Sequence, residues 1–392
     1  MYLNKEQERM LSGEESEAVQ NAMEILVGLG DIYDAKRLIP IESAHISGIS
    51  MRTSGEAGLS FIEDMVDKGA RTSVPTTINP AGMDLKNWKE MGAPAEMSEK
   101  QIRMVDAYEK IGAEPTCSCV PYFIGNNPSF GEHVSWAESS AIVYANSILG
   151  ARTNREGAPS ALASSITGLT PEFGYHLKEN RAGSLTIIPD LELFEGRSTF
   201  PYSVLGYWIG ENFPESVPVI RKIRPTYDQH KALGAGMAAS GAIALYHIPS
   251  VTAEAKKNPE ICETGETVSF GVDEYEKTVD ELDQTSDCDL ICIGCPHASI
   301  DELRFIAEKI DDEKEIWVCL PRRTRNKEKY GEVFSDLEKR GLKLVCDTCM
   351  VVAPLSEMGY SSIGVNSTKA AHYAPSLADV KVHLAPIEEL VK

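Results

Sequence analysis

Apolar residues recur at helical spacing near the start of the chain. Val19, Ala22, Met23, Ile25 and Leu26 share one face of a helix predicted over 14–30 and closed by "GLG". Beyond it, short apolar runs alternate with amphipathic stretches. "RLIPIESAHISGIS" reads as strand and loop leading into a helix at "FIEDMVDKGA". "RTSVPTTINPAGMDL" reads as a strand ending in a Pro/Gly/Asn loop. A second amphipathic helix is predicted over 97–112, and "AESSAIVYANSILGAR" is a buried helix of small residues. In the middle, "AGSLTIIPDLELF" predicts a strand, "FPYSVLGYWIGENF" a packed apolar segment and "KALGAGMAASGAIALYHI" a small-residue helix. The last third is the clearest. "DLICIG", "EIWVCL" and "LKLVC" have the uninterrupted apolar character of strands buried on both faces, and helical stretches separate them. Ser299 and Glu302 have capping-box spacing and place one helix start at Ser299. This β-α-β-α-β order predicts a doubly wound parallel sheet, which binds ligands at the carboxyl ends of its strands.

At 392 residues the chain exceeds one small core. The pattern divides it into N-terminal α/β structure over 1–255, as one domain or two interleaved, and the doubly wound domain over 256–392. The boundary falls where composition turns acidic, near "EAKKNPEICETGET". A net charge of −21 argues against nucleic acid or an anionic membrane as the main partner. No apolar run approaches the roughly 20 residues of a membrane span. The polar, acidic start has no signal- or transit-peptide pattern, so a cytoplasmic location is expected, with the nine cysteines as reduced thiols.

The cysteines then change the picture. Cys288 and Cys292 lie before or inside the first C-terminal strand, and Cys319 nears the end of the second, where core packing accounts for them. Cys295 follows its strand after Gly294, and Cys349 lies beyond the strand that Cys346 closes, so both belong to the sheet's ligand edge. Cys117 and Cys119 lie in the loop "PTCSCVPY". Two readings stand. The spacings Cys292–Cys295 and Cys346–Cys349 match a four-cysteine zinc site, although the first member of each pair sits in a strand rather than on a tight turn. Three loop cysteines from distant segments suit instead an iron–sulfur cluster with three thiolates. That leaves one iron open to act as a Lewis acid.

"TCSCVPY", "GEHVSWAESSAIVYANSILGARTNREG", "IGCPHAS", "CDTCMVVAP" and "GVNSTKAAHYAP" together resemble the large subunit of the aconitase X family, archaeal type, over nearly the whole chain. The resemblance implies an aconitase-like fold, three α/β domains around an iron–sulfur site. It implies Cys119, Cys295 and Cys349 as ligands, with Cys117 in reserve for the first, and [4Fe-4S] favoured over [2Fe-2S]. It implies a hydro-lyase that converts (R)-5-phosphomevalonate to trans-anhydromevalonate 5-phosphate in an isoprenoid-forming mevalonate pathway. Family members acting on cis-3-hydroxy-L-proline give the alternative substrate, and a non-catalytic zinc or nucleotide-binding module is the alternative class. The family's swivel domain, with its serine base, is implied to be a separate small subunit. The chain is then one half of a heterodimer and inactive alone. One departure stands out: classical aconitase takes two ligands from one CxxC, whereas here three loops would each give one.

A phosphorylated acid needs cations and backbone donors. Gly48 and Ser50, with His45 and Ser47, belong to "HISGIS"; Thr76 and Asn79, with Thr77 and Gly82, belong to "TTINPAG". Arg152, Asn154 and Arg155 follow a buried helix and offer guanidinium and amide contacts. Ordinary turns and surface ion pairs account for the same residue types. "GAGMAASG" lacks the ending of a phosphate loop and reads as close helix packing. Lys231 and Lys369 are further anion contacts to test. His297 stands either as an orienting group or as a structural hydrogen-bonding residue.

Overall fold

The computed structural model describes residues 1–310 and 315–391. In chain order, the first unit holds β1 (Leu38–Pro40), β2 (Ser43–Ser47), β3 (Thr76–Asn79), β4 (Val134–Trp136) and β5 (Leu169–Pro171). The middle unit holds β6 (Leu185–Pro189), β7 (Pro218–Ile220) and β8 (Thr267–Phe270). The third holds β9 (Leu290–Ile293), β10 (Ile316–Leu320), β11 (Lys343–Cys346), β12 (Ser362–Val365) and β13 (Lys381–Leu384). Parallel sheets form in the orders β3-β2-β4, β7-β6-β8 and β11-β10-β9-β12-β13, while β1 and β5 pair antiparallel. The acidic stretch near 252–282 therefore carries a strand of the middle sheet. No helix among the described residues is long and apolar enough to cross a membrane.

The five-stranded sheet is buried on both faces, which explains its unbroken apolar runs. Cys292, Trp317, Cys319 and Val345 share one face and pack into a core continuous with Ile187, Phe200 and Leu233 of the middle unit. Ile291, Ile293, Val318 and Cys346 occupy the other face, under helices carrying Leu303 and Phe334. Cys292 and Cys319 are thus packing residues, as their place in the runs predicts.

Two predicted helices differ in detail. The first runs Glu17–Ile32, because the Ser16 hydroxyl accepts from the Val19 N–H (3.2 Å) and fixes its start. It continues through "GLG", where Gly30 packs against Met1 and Pro171. "AESSAIVYANSILGAR" forms a short α-helix, Ser139–Tyr144, that widens into a π-helical turn over Ala145–Leu149.

"GAGMAASG" lies in helix Tyr227–Gly241, packed on helix Phe200–Asn212. The contact is so close that a Cβ on Gly206 would stand 2.1 Å from the Leu233 carbonyl oxygen. Backbone cannot swing aside as a side chain can. Gly206→Ala should therefore lose about 1–3 kcal/mol by overpacking, more than the gain of up to about 1 kcal/mol in helix propensity. A lower urea midpoint would show it; an unchanged or raised midpoint would refute the close-packing account.

Candidate functional site

In the five-stranded sheet the chain winds outward from β9 to β11 and then returns to the other side of β9 as β12. The crevice between the carboxyl ends of β9 and β12 is the topological switch point, where such sheets bind ligands. Gly294, at φ 99°, turns the chain out of β9 against the Cys319 carbonyl, and Cys295 follows it. Past β12, Ser367 caps helix Thr368–Leu377 by accepting from the Ala370 N–H (3.3 Å), and Lys369 lies in its first turn. Beyond β11, Asp347 takes a left-handed φ of 66° in "CDTC". Its carboxylate receives Arg322 at 2.8 Å and its carbonyl receives the Ala81 N–H at 2.9 Å, tying the Cys349 loop to the first unit.

The first sheet meets this edge with its own carboxyl ends. Ser47 and Gly48 follow or end β2, Asn79 ends β3, and Glu138 follows β4. After helix Ala95–Lys110, Glu114 pairs alongside Thr77 of β3, and the chain then delivers Ser118 and Cys119 to the same edge. Between the two sheets lies a cavity of about 180 Å³ lined by Cys119, Cys295 and Cys349 together with Gly48, Asn79, Glu138 and Lys369. Val351, Val352, Tyr373 and Leu377 form its apolar wall. The middle unit contributes no lining residue among those described.

Lys369 and Glu138 form a buried ion pair across the cavity. Glu138 also accepts from Asn79 Nδ2 (2.8 Å), Ser47 Oγ (3.1 Å) and Ser140 Oγ (3.2 Å). Burial alone would raise its pKa, but Lys369 and these donors outweigh burial and hold it down at about 2. Burial likewise opposes the charge on Lys369, and Glu138 reverses that, so its pKa lies above the ordinary value. The thiols of Cys119, Cys295 and Cys349 are pushed up to about 12, chiefly by burial. They stay protonated until a cation binds, since metal binding to thiols releases protons.

The structure sorts the residues singled out from sequence. Gly48, Asn79 and Lys369 line the cavity, and Ser50 is buried beside it as the cap of helix Met51–Asp67. Thr76 sits at the far end of β3, its hydroxyl on the Val74 carbonyl (2.9 Å). Arg152 donates to the His176 carbonyl (3.1 Å), Asn154 bonds Phe173 and Tyr175, and Arg155 donates to the Ala238 carbonyl (3.0 Å). These four hold loops and do not reach the cavity. Lys231 is buried among Asp228, Glu302 and the His297 carbonyl. Cys117 packs in the core of the first unit with Ile78 and Ala81, while Cys119 faces the cavity.

The zinc set is not brought together, because Cys292 and Cys346 point from opposite sheet faces. Among the described residues no group of three or more His, Cys, Asp or Glu is arranged to hold a single metal ion. The three loop thiols instead bound a space, as a multi-atom group requires. Sequence reasoning missed Glu138, and beside it Ser139, which also lines the cavity. The available signal was an acid two positions after the strand "VSW" and directly ahead of a helix of small residues.

Comparison with known proteins gives a consistent picture. Residues 1–179 match the description "Aconitase X first domain", residues 183–280 the second domain and residues 288–392 the third. The chain is 45% identical to the phosphomevalonate dehydratase large subunit of Methanocaldococcus jannaschii, covering 100% of both chains. It is 47% identical to that of Methanothermobacter thermautotrophicus, covering 96% of this chain and 94% of the other. At 33% identity it matches the cis-3-hydroxy-L-proline dehydratase of Pseudomonas aeruginosa, over 98% of this chain but 68% of that protein. The crystal structure of Thermococcus kodakaraensis aconitase X (holo-form) superposes with a TM-score of 0.92 at 40% identity, covering 100% of this chain and 99% of that one.

Proposed function

The chain belongs to the aconitase X family, and from that premise we propose that it is the large subunit of a phosphomevalonate dehydratase, converting (R)-5-phosphomevalonate to trans-anhydromevalonate 5-phosphate. The observation that carries this reading is the convergence of three loop thiols and a buried Lys–Glu pair on one cavity. Cys119, Cys295 and Cys349 would hold an iron–sulfur cluster, [4Fe-4S] before [2Fe-2S]. When bound, a cluster with three protein thiolates supplies Lewis acidity from an iron that no cysteine occupies, which assists departure of hydroxide, a poor leaving group.

The chain's own residues do the rest. Lys369 places a cation where an anionic substrate enters, and Glu138 fixes the ammonium in place. Asn79 spends its amide on Glu138, and its Oδ1 has no partner in the wall, so it is free to accept from a substrate hydroxyl. Val351, Val352, Tyr373 and Leu377 give the cavity an apolar wall, which strengthens each polar contact beside it.

A general base works best with a pKa near the operating pH. Lys369 and its other donors hold Glu138 at about 2, while burial puts the three thiols at about 12 and His297 at about 4. This supports a base supplied from outside the chain, on the small subunit of a heterodimer, and full coverage of relatives named "large subunit" supports it too.

Co-expression with the small subunit, anaerobic purification and a substrate panel test the reading. The expected result is a brown complex that dehydrates (R)-5-phosphomevalonate, with the isolated chain inactive. Activity on cis-3-hydroxy-L-proline alone would reverse the substrate assignment. An iron-free complex with full activity would overturn the cofactor.

A further inference from the structure

His297 touches all three cysteine loops. It lies two positions after Cys295, and its backbone N–H donates to Cys119 Sγ at 3.2 Å. Its Nε2 meets the carbonyl oxygen of Thr348, the residue before Cys349, at 2.9 Å. A carbonyl only accepts, so Nε2 carries the ring proton and Nδ1 is left to accept from the Ser118 hydroxyl at 3.0 Å. Both ring nitrogens are engaged, and the ring has no lone pair left for a metal.

The same residue is anchored from behind. Lys231 Nζ donates to the His297 carbonyl at 3.0 Å. Lys231 comes from the middle unit and is buried between Asp228, at 3.2 Å, and Glu302. Glu302 also accepts from the Ser299 N–H (2.9 Å), and the Ser299 hydroxyl donates to Asp228 (2.7 Å). The loop of Cys295 is thus fastened on both sides, to the first unit through Ser118 and Cys119 and to the middle unit through Lys231. A buried network of this kind has discrete geometry, because water cannot replace a lost partner.

We propose that His297, seated on Lys231, is a positioning residue that sets the spacing of the three thiols, and that the middle unit acts on the site through it. The proposal rests on the reading that Cys119, Cys295 and Cys349 hold the cluster. The backbone N–H to Cys119 Sγ survives any change of side chain, but the ring's bonds to Ser118 and Thr348 fix where that N–H points, and hydrogen bonds to ligand sulfur move the reduction potential.

The test uses the full-length chain without iron, treated with iodoacetamide, with alkylation of each cysteine timed by peptide mass spectrometry. His297→Ala should speed modification of Cys119 and Cys349 roughly tenfold, the equivalent of one lost buried hydrogen bond. His297→Asn, whose amide offers one donor and one acceptor, should bring the rates back toward wild type. Lys231→Met should speed modification of Cys295. In the loaded complex, His297→Ala should keep iron but shift the reduction potential and visible spectrum. Unchanged alkylation in folded His297→Ala and Lys231→Met overturns the proposal. Should His297→Ala not fold, Ser118→Ala removes one bond alone, and an unchanged Cys119 rate there overturns it equally. Failure of wild type to take up iron and sulfide sinks the cofactor reading separately, and the alkylation rates still decide whether His297 positions the loops.

Discussion

Cys349→Ala is expected to lose its iron and to lower dehydration by at least roughly a thousandfold, because a Lewis acid supplies several kcal/mol of transition-state stabilisation and about 4 kcal/mol is three powers of ten. Cys119→Ala and Cys295→Ala should behave alike, since each thiol faces the cavity from a different loop. The informative controls are Cys292→Ala and Cys346→Ala. These thiols pack in cores on opposite faces of the sheet, so removing them should cost some stability but leave the iron in place. Iron and sulfide analysis of the five variants separates the ideas. Retention of iron in Cys349→Ala with loss in Cys292→Ala and Cys346→Ala would refute this ligand set, whereas metal loss in all four of Cys292→Ala, Cys295→Ala, Cys346→Ala and Cys349→Ala would restore the zinc-type pairing.

Lys369→Met should act on stability and catalysis together. Removing one partner of a buried ion pair leaves the other charge uncompensated, at about 3–5 kcal/mol. Losing the cation that receives an anionic substrate should lower kcat/KM by roughly a hundredfold, about 3 kcal/mol. The pH dependence has a definite sign. In wild type, Glu138 is depressed from 4.5 to about 2, so the pair's stabilisation is present above pH 4.5 and is lost as pH falls through 2. From the Lys369 side, whose pKa is raised, the same stabilisation is present below 10.5 and is lost as pH rises past the folded value. In Lys369→Met, burial acts on Glu138 without its main opponent, leaving only the donors Ser47, Asn79 and Ser140 and the nearby His45 against it, and its pKa rises. The variant's deficit should therefore narrow on acidification, as the lone carboxyl takes up a proton. Urea midpoints at pH 7 and pH 4.5 check this, and a deficit that stays constant or widens would contradict the pairing.

The third sheet was legible because buried parallel strands write themselves as short β-branched runs, and Ser299–Glu302 marks a cap directly. The ligand edge followed from winding order, so Cys295 and Cys349 could be placed there before any coordinates. The choice of Cys119 over Cys117 was not legible in spacing. It depends on which way a short edge segment turns, and Cys117 buries its thiol at φ 43°. Arg152 and Asn154 bond loop backbone away from the cavity, because a guanidinium or amide in a loop serves carbonyls as well as it serves substrates. Glu138 went unread because its importance lies in Lys369, more than two hundred positions away in sequence yet bonded across the cavity. Such pairings exist only once sheet edges from two units face one another.

The three thiols are divided two and one. Cys295 and Cys349 ride on one sheet, where backbone hydrogen bonds fix their separation, while Cys119 belongs to the body opposite. Whatever binds all three acts as a rivet between two plates, and its loss leaves the plates joined by hydrogen bonds and ion pairs such as Arg322–Asp84. Damage to the cofactor would then register as a change of shape as well as of chemistry.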